Sequence, residues 1–461
     1  MSVWTAGEIA AATGGRLTGA GFAAGGVSID TRTLEPGDLF VALAGARDGH
    51  EFLDAAFERG AAGALVARAV EGRPCVQVGD TQAALEALGV AARERCPARR
   101  GAVTGSVGKT SVTQAVRAGL ERAGRAHSSV KSYNNHIGVP LTLARMPRDT
   151  ERAVFEIGMN HAGEITPLVR MVRPHAVLIT TVGPVHVENF ADGEAGVARA
   201  KAEILLGLEP GGLAILPADN RWFEFLRAEA RAVGAEIATF GSGEGCDGRL
   251  LDVAADAGGT RVRAELRGRT LNFVVPQAGL HWGLNSLAVL LMLEALGVRA
   301  DTGVAALESF APLEGRGTER AVAVSGGAFT LIDESYNANP LSMQAALASL
   351  GARGAAGRRI AALTDMLELG DQGPRFHAEI TQAVEAARVD LVFCAGPLMR
   401  HLHDALPPTR RGGYAEDAAA LAPRVAAEAR PGDLIMVKGS NGSKASIIAR
   451  TLAALHQPGA A

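Results

Sequence analysis

The sequence predicts an α/β protein of three domains, the first small, the second with a mostly parallel sheet, the third Rossmann-like. Three observations carry this expectation. Short apolar strand patterns alternate with helical patterns along the whole chain. The 461 residues amount to about three domains by length. Two seams with Pro or Gly, Arg95-Cys96-Pro97-Ala98-Arg99-Arg100 and Ala311-Pro312-Leu313-Glu314-Gly315-Arg316-Gly317, interrupt the alternation. The expected units are therefore 1–97, 98–311 and 312–461.

Within the first unit, strand patterns at 38–43, 64–66 and 75–78 are separated by helical runs at 52–59 and 81–95. The second has a short strand at 101–103, a helix from 111 to 123, and buried-type strands at 153–157 and 176–180. Beyond residue 211, strands at 236–240, 260–266 and 270–275 read as antiparallel, and a long helical pattern follows at 285–296. The last unit repeats the alternation with strands at 329–332, 359–363, 391–394 and 433–437, each before a helix. Gly243-Glu244-Gly245-Cys246-Asp247-Gly248 fits the dinucleotide pattern G-x-G-x-x-G, but strand-like alternation follows it. Without a helix to receive a pyrophosphate, the motif reads as a turn.

Bulk properties narrow the function classes. Hydrophobic residues make up 48% but aromatic ones only 4%, so the cores must be aliphatic. A formal net charge of −3 argues against a nucleic-acid binder, which needs a basic footprint. Cys75, Cys96, Cys246 and Cys394 lie far apart with no Cys-x-x-Cys spacing, which fits a reducing compartment. The apolar stretch 284–298 is broken by Asn285 and Glu294, too short and too polar to span a bilayer. Glu8 stands early and no basic-then-apolar pattern precedes it. A cytoplasmic protein, not embedded in a membrane, is expected.

Thr104-Gly105-Ser106-Val107-Gly108-Lys109-Thr110 is the most informative stretch. It lies between a strand and a helix, where glycines let backbone N–H groups converge on an anion and the helix N-terminus adds partial positive charge. Lys109 would reach the β/γ-phosphates and the Thr110 hydroxyl would ligate Mg²⁺. The common spacing puts a glycine five places before Gly108, where Val103 stands. A solvated turn with a surface lysine is the alternative; the strand-to-helix context favours a nucleotide.

Other residues are weaker when taken singly. Glu156 closes the strand 153–157, and ligands of α/β sheets sit at carboxyl ends of strands, so its carboxylate is a candidate for Mg²⁺. A charge simply facing water fits that position equally. His186, in a loop after the strand 176–180, reads as an ordinary loop histidine. Lys201 is a helix-face lysine among apolar neighbours, where partial burial lowers the pKa of an amine. Asp333-Glu334-Ser335-Tyr336-Asn337-Ala338-Asn339-Pro340 ends a strand and reads as a polar binding loop, with Pro340 opening the next helix.

Taken together, these segments resemble the Mur ligases, the ATP-dependent amide-forming enzymes of peptidoglycan precursor synthesis. The shortened Thr-Gly-x-x-Gly-Lys-Thr loop is their form, shared with folylpolyglutamate synthases. Further matches are Asn134-Asn135-His136-Ile137-Gly138-Val139-Pro140-Leu141, Glu156-Ile157-Gly158-Met159-Asn160-His161-Ala162-Gly163-Glu164-Ile165 and Tyr336-Asn337-Ala338-Asn339-Pro340. Asp30-Thr31-Arg32, Pro36-Gly37-Asp38-Leu39-Phe40-Val41-Ala42-Leu43 and Gly45-Ala46-Arg47-Asp48-Gly49-His50 resemble the family's UDP-binding domain. The motifs cover essentially the whole chain in the family's order.

The resemblance implies roles. The first unit would bind a UDP-linked substrate, with Thr31 and Arg32 among its contacts. The central unit would bind ATP through Thr104, Gly105, Ser106, Val107, Gly108, Lys109 and Thr110, with Asn285 against the adenine. Arg316 and Asp333 would close from the third unit toward the γ-phosphate and the ribose. Thr110, Glu156, His186 and Lys201 would form the metal site, Lys201 as a carbamate made with CO₂. Asn134, Asn135, Tyr336, Asn337 and Asn339 would contact the substrate, and Lys109, Lys201, Glu156, His186 and Arg316 would be catalytic. Thr364 stands where Gly is usual, Asn441 where Arg is common, and Thr31 replaces a usual serine while keeping the hydroxyl.

Within the family the motifs are closest to the members that join D-alanyl-D-alanine to UDP-muramoyl-tripeptide through an acyl phosphate. The member that adds a diamino acid one step earlier usually carries Asp-Asn-Pro-x-Arg, which is nowhere in this chain. A folylpolyglutamate synthase would lack the first unit. A nucleotide-hydrolysing switch is the rival from another class. A monomer that closes about a hinge near Pro312 is expected.

Overall fold

The computed structural model describes residues 2–45, 47–129, 132–256 and 258–455; Ala46, quoted in the glycine-rich stretch above, lies outside them. Mixed α/β structure with mostly parallel sheets runs through the chain. A five-stranded sheet is built from Arg16–Thr18, Cys75–Gln77, Gly63–Val66, Asp38–Val41 and Gly26–Ser28, in that spatial order. Only the outer pair, Arg16–Thr18 against Cys75–Gln77, is antiparallel. Trp4 and Leu141 share its core, and the Trp4 indole N–H donates to the Ala144 carbonyl at 2.7 Å. This contact fastens the N-terminal sheet to the Gly138–Ala144 helix of the next region.

The nine-stranded sheet that follows positions the site. From one edge its order is Ala126–Ser128, Arg152–Glu156, Arg99–Thr104, Ala176–Ile179, Leu213–Pro217 and Glu236–Gly241; Gly248–Asp256, Gly259–Leu266 and Arg269–Val275 complete it. The first seven strands are parallel, and the last two turn back as antiparallel hairpins. Glu236–Gly241 thus corrects the expectation of an antiparallel strand there. Its helix Phe223–Ala232 provides the crossover that a parallel partner needs. The glycine-rich 243–248 segment is a turn leading into a strand, as its lack of a following helix implied.

Arg99–Thr104 lies between Arg152–Glu156 and Ala176–Ile179. The chain leaves it to one side and later returns to the other, so strand order reverses at its carboxyl end, where a crevice opens. Aliphatic side chains on both faces, with Phe155 and Trp282 among few aromatics, bury most of the central strands. The six-stranded C-terminal sheet has the order Thr318–Val324, Gly327–Glu334, Leu434–Lys438, Arg359–Thr364, Leu391–Ala395 and Arg411–Ala415. After one antiparallel hairpin all its pairings are parallel. Its strand ends at Glu334 and Lys438 point their loops toward the crevice of the nine-stranded sheet, forming a shared cleft.

Candidate active site

The cleft has a volume of about 780 Å³ and takes walls from both sheets. Its floor is the loop between Arg99–Thr104 and the helix Lys109–Ala123. Ser106 N–H donates to the Thr181 carbonyl at 2.8 Å, while its hydroxyl donates to the Gly183 carbonyl and accepts from Gly183 N–H. Those bonds tie the loop to the adjacent strand end and leave the helix N-terminus open to an anion. Gly108 enters the helix at φ 84, and Gly105 sits at φ 146, with an added Cβ only 2.0 Å from Thr180 Oγ1.

Both conformation and space therefore demand glycine at position 105. Gly105→Ala is expected to cost roughly 1–3 kcal/mol of stability and to displace the loop, weakening nucleotide binding. Thermal melting with and without ADP checks this; an alanine protein that melts and binds like the parent would refute it.

Lys109 Nζ donates to the Gly105 carbonyl at 2.7 Å. Burial lowers its pKa, the Glu156 carboxylate partly restores it, and Arg316 adds to the lowering. Glu156 is fully buried. Its Oε1 accepts from Asn134 Nδ2 at 2.7 Å, and Oε2 has no hydrogen-bond partner among the described residues. Gly158 lets the Asn134 side chain lie this close, since a Cβ there would stand 2.8 Å from Asn134 Cγ. An unsatisfied, buried carboxylate oxygen at a strand end beside an anion-binding loop calls for a cation.

Lys201 lies behind the cleft lining, on the helix Glu194–Ala202, and is only 1% exposed. Its pKa is driven well below the usual lysine value, first by burial and then by the Lys109 cation. Among the described residues it has no carboxylate within ion-pair distance. Both effects favour the neutral, nucleophilic amine relative to that of an exposed lysine.

From the opposite wall, Arg316 Nη2 donates to Thr110 Oγ1 at 3.1 Å, and its guanidinium stacks over the Tyr336 ring at 4.1 Å. The Tyr336 hydroxyl in turn meets Ser132 Oγ. These contacts hold the C-terminal sheet against the phosphate loop. His186 lines the cleft with its Nδ1 2.5 Å from Glu368 Oε2, an ion-pair contact off the line of the ring N–H. Asn285, on the helix His281–Ala295, lies against Gly108, where a Cβ would approach its amide oxygen to 3.4 Å.

The cleft thus gathers Ser106, Val107, Gly108, Lys109, Thr110, Asn134, Glu156, His186, Asn285, Arg316, Tyr336, Asn337 and Asn339. Other expected residues take different places. Thr104 is fully buried beneath the loop. Asp333 accepts from Ser335 N–H at 2.9 Å and so shapes its own turn. Asn135 accepts from the Ile137 and Gly138 N–H groups ahead of the helix Gly138–Ala144. Asn339, while lining the cleft, also caps the helix Pro340–Ala352 in a reciprocal box with Ser342. Thr31 and Arg32 belong to the N-terminal sheet region, where Arg32 grips Asp30 through two nitrogens. Among the described residues no three His, Cys, Asp or Glu side chains converge as a metal site.

Among the cleft residues to which the sequence reading gave no site role are Lys438, Glu368 and Ser132. Lys438 is 3% exposed, pairs with Glu334 Oε2 at 3.3 Å and donates to the Asn337 carbonyl at 3.0 Å. The strand-end rule applied to Glu156 would have found it, since it closes the strand pattern 433–437. Ser132 and Glu368 carry no such signal, because their roles come from packing between sheets.

Known proteins share this arrangement. Residues 103–293 match the Mur ligase middle domain and residues 319–441 match the Mur ligase, glutamate ligase domain. The UDP-N-acetylmuramoyl-tripeptide–D-alanyl-D-alanine ligase of Bacillus subtilis is 34% identical over 436 residues, 93% of each chain. The Escherichia coli protein of the same name is 34% identical over 95% of this chain and 96% of its own. A crystal structure of MurF from Acinetobacter baumannii superposes with a TM-score of 0.85 at 27% identity, covering 98% of this chain and 99% of that one. The MurF ligase of Thermotoga maritima, solved in complex with ADP, shares the fold with a TM-score of 0.77 at 23% identity over 93% and 97% of the two chains. Among the described residues no helix is long and apolar enough to cross a membrane. With both domain matches and relatives aligned over nearly its whole length, this chain belongs to the Mur ligase family.

Proposed function

We propose that this chain is the ATP-dependent ligase that joins D-alanyl-D-alanine to UDP-N-acetylmuramoyl-tripeptide, giving the UDP-linked pentapeptide. The observation that carries the reading is a cleft between two sheets lined by a phosphate loop, Lys109, Arg316 and Lys438, with Glu156 buried at its wall. A substrate carboxylate and a triphosphate repel each other until such cations neutralise them. The carboxylate attacks the γ-phosphorus of ATP, the bond to the ADP oxygen breaks, and an acyl phosphate forms. The free amine of D-alanyl-D-alanine then adds to the acyl carbon, loses a proton, and phosphate leaves as the amide forms.

The chain's residues divide this work. Backbone N–H groups of 107–110 at the helix N-terminus would hold the phosphates, and Lys109 and Arg316 offset charge on the group in transfer. Asn285 sits where it would meet the base. Thr110, Glu156, His186 and a carbamate on Lys201 would hold Mg²⁺. The unpaired Glu156 Oε2, the Thr110 hydroxyl and carbamate oxygens are the hard donors that ion prefers, and His186 would add one nitrogen. Bound there, Mg²⁺ supplies Lewis-acid stabilisation of phosphoryl oxygens. Thr31 and Arg32 would contact the UDP end, and Tyr336 and Asn337 the peptide end. With units 1–97, 98–311 and 312–461, the last closes on the central one about a hinge near Pro312 in this scheme, and the enzyme works as a cytoplasmic monomer without nucleic acid.

ADP release measured with UDP-muramoyl-tripeptide and D-alanyl-D-alanine, each omitted in turn, tests the proposal. Turnover requiring both, with a UDP-linked pentapeptide as product, is expected. Turnover with a dipeptide acceptor and a free diamino acid would move the enzyme one step earlier, and turnover with neither would make it a nucleotide switch.

A further inference from the structure

Two short turns from different sheets meet beside the cleft. The nine-stranded region supplies Val187–Asn189, entered at His186 with φ 53; the C-terminal region supplies Gly370–Gln372, preceded by Glu368 with φ 63. Left-handed conformations at two side-chain-bearing residues cost roughly 1–2 kcal/mol each, so their surroundings hold them in place. Val187 packs against the hydrophobic cores of both sheets. Gly370, at φ 54, closes on Glu188, and a Cβ added there would come within 3.0 Å of Glu188 Cβ. Next to this apolar contact, His186 Nδ1 lies 2.5 Å from Glu368 Oε2.

A histidine that offers one ring nitrogen to a cation is commonly held at the other by a carboxylate, which fixes the ring and keeps the proton on the far side. Glu368 Oε2 stands at Nδ1 but off its N–H line, so a turn of the ring would complete that bond and leave Nε2 for a ligand. We propose that Glu368 is a positioning residue for His186, delivered from the C-terminal sheet, so that cation affinity in the cleft depends on docking of the two turns. The proposal rests on the assignment of His186 to the cation site made above. It couples closure to chemistry: His186 is oriented only while the C-terminal region is seated. An exposed ion pair between neighbouring regions, worth little in binding, is the competing account.

Manganese titration of the full-length, ADP-loaded enzyme, followed by electron paramagnetic resonance, separates the two without relying on turnover. His186→Ala and Glu368→Ala are both expected to weaken Mn²⁺ binding, by about 10- to 100-fold. Glu368→Gln keeps shape and an acceptor oxygen and should recover part of the loss, with melting temperatures reporting that each variant is folded. Val187→Ser, which leaves both polar partners in place, should also weaken Mn²⁺; parental affinity there would overturn the dependence on docking. If His186→Ala weakens binding while Glu368→Ala and Glu368→Gln match the parent, the positioning role is wrong and the cation site stands. If His186→Ala also binds like the parent, the cation-site assignment fails and takes the proposal with it.

Discussion

Lys109→Ala lowers kcat/KM for ligation by about 10³-fold, the loss typical when one preorganised donor to developing charge is removed. The lysine stands at the first position of the helix after the phosphate loop, with Glu156 and Arg316 close enough to shift its pKa in opposite directions. Its role in the resting fold is small, a single bond to the Gly105 carbonyl, so the variant should melt within a few degrees of the parent. Lys109→Arg should not restore activity, because a planar guanidinium is larger than the ammonium it replaces and does not present a point charge. Steady-state kinetics with both variants decide the matter. A loss smaller than tenfold in Lys109→Ala would mean that Arg316 and Lys438 neutralise the triphosphate without it.

Lys201 should show the opposite balance between activity and stability. Lys201→Met removes the amine that would form the carbamate, and a drop in turnover of at least about 10³-fold is expected. The same change should raise stability. Burial depresses the folded-state pKa of Lys201 below its unfolded value, so over the interval between the two the unfolded chain binds more protons. Stability of the unmodified parent therefore rises with pH across that interval, and below it the cost of burying a cation is paid in full. Methionine, similar in volume and uncharged, escapes the cost, so its advantage in melting temperature should be largest at low pH and fade as pH rises. ¹³C-labelled bicarbonate supplies the direct test, through a carbamate carbonyl resonance in the parent that is absent from Lys201→Met. Loss of activity without any such resonance would keep Lys201 essential but leave its role to the free amine.

Much of the site was legible because its signals are local. A glycine-rich loop between strand and helix is written in seven consecutive residues, and the structure places that loop on the cleft floor. Glu156 was found by one rule, that ligands gather at carboxyl ends of parallel strands, and it lies fully buried there. The same rule would have singled out Lys438. Asn135 and Asn339 also hold local structure: Asn135 accepts from the N–H groups of Ile137 and Gly138, and Asn339 caps a helix. Asparagine suits a helix cap and a substrate contact for the same reason, a short acceptor beside the backbone. The antiparallel reading of 236–240 failed because a short alternating strand carries no record of its partner's direction; the crossover helix Phe223–Ala232 decides it.

By itself the sequence determined the alternation of strands and helices, the aliphatic cores, the phosphate loop and the family. Each of these depends on neighbours within a few residues or on motifs in a given order, and both survive as one-dimensional patterns. Only the tertiary structure decided that Lys201 is sealed from water with Lys109 close by, that Arg316 reaches Thr110 across the cleft, and that Glu368 meets His186. These pairings join residues up to 206 positions apart. Their energies come from desolvation and from charges brought together by two sheets that fold on separate cores. No spacing along the chain encodes such a distance, so the chemistry of the cleft is set where the sheets meet.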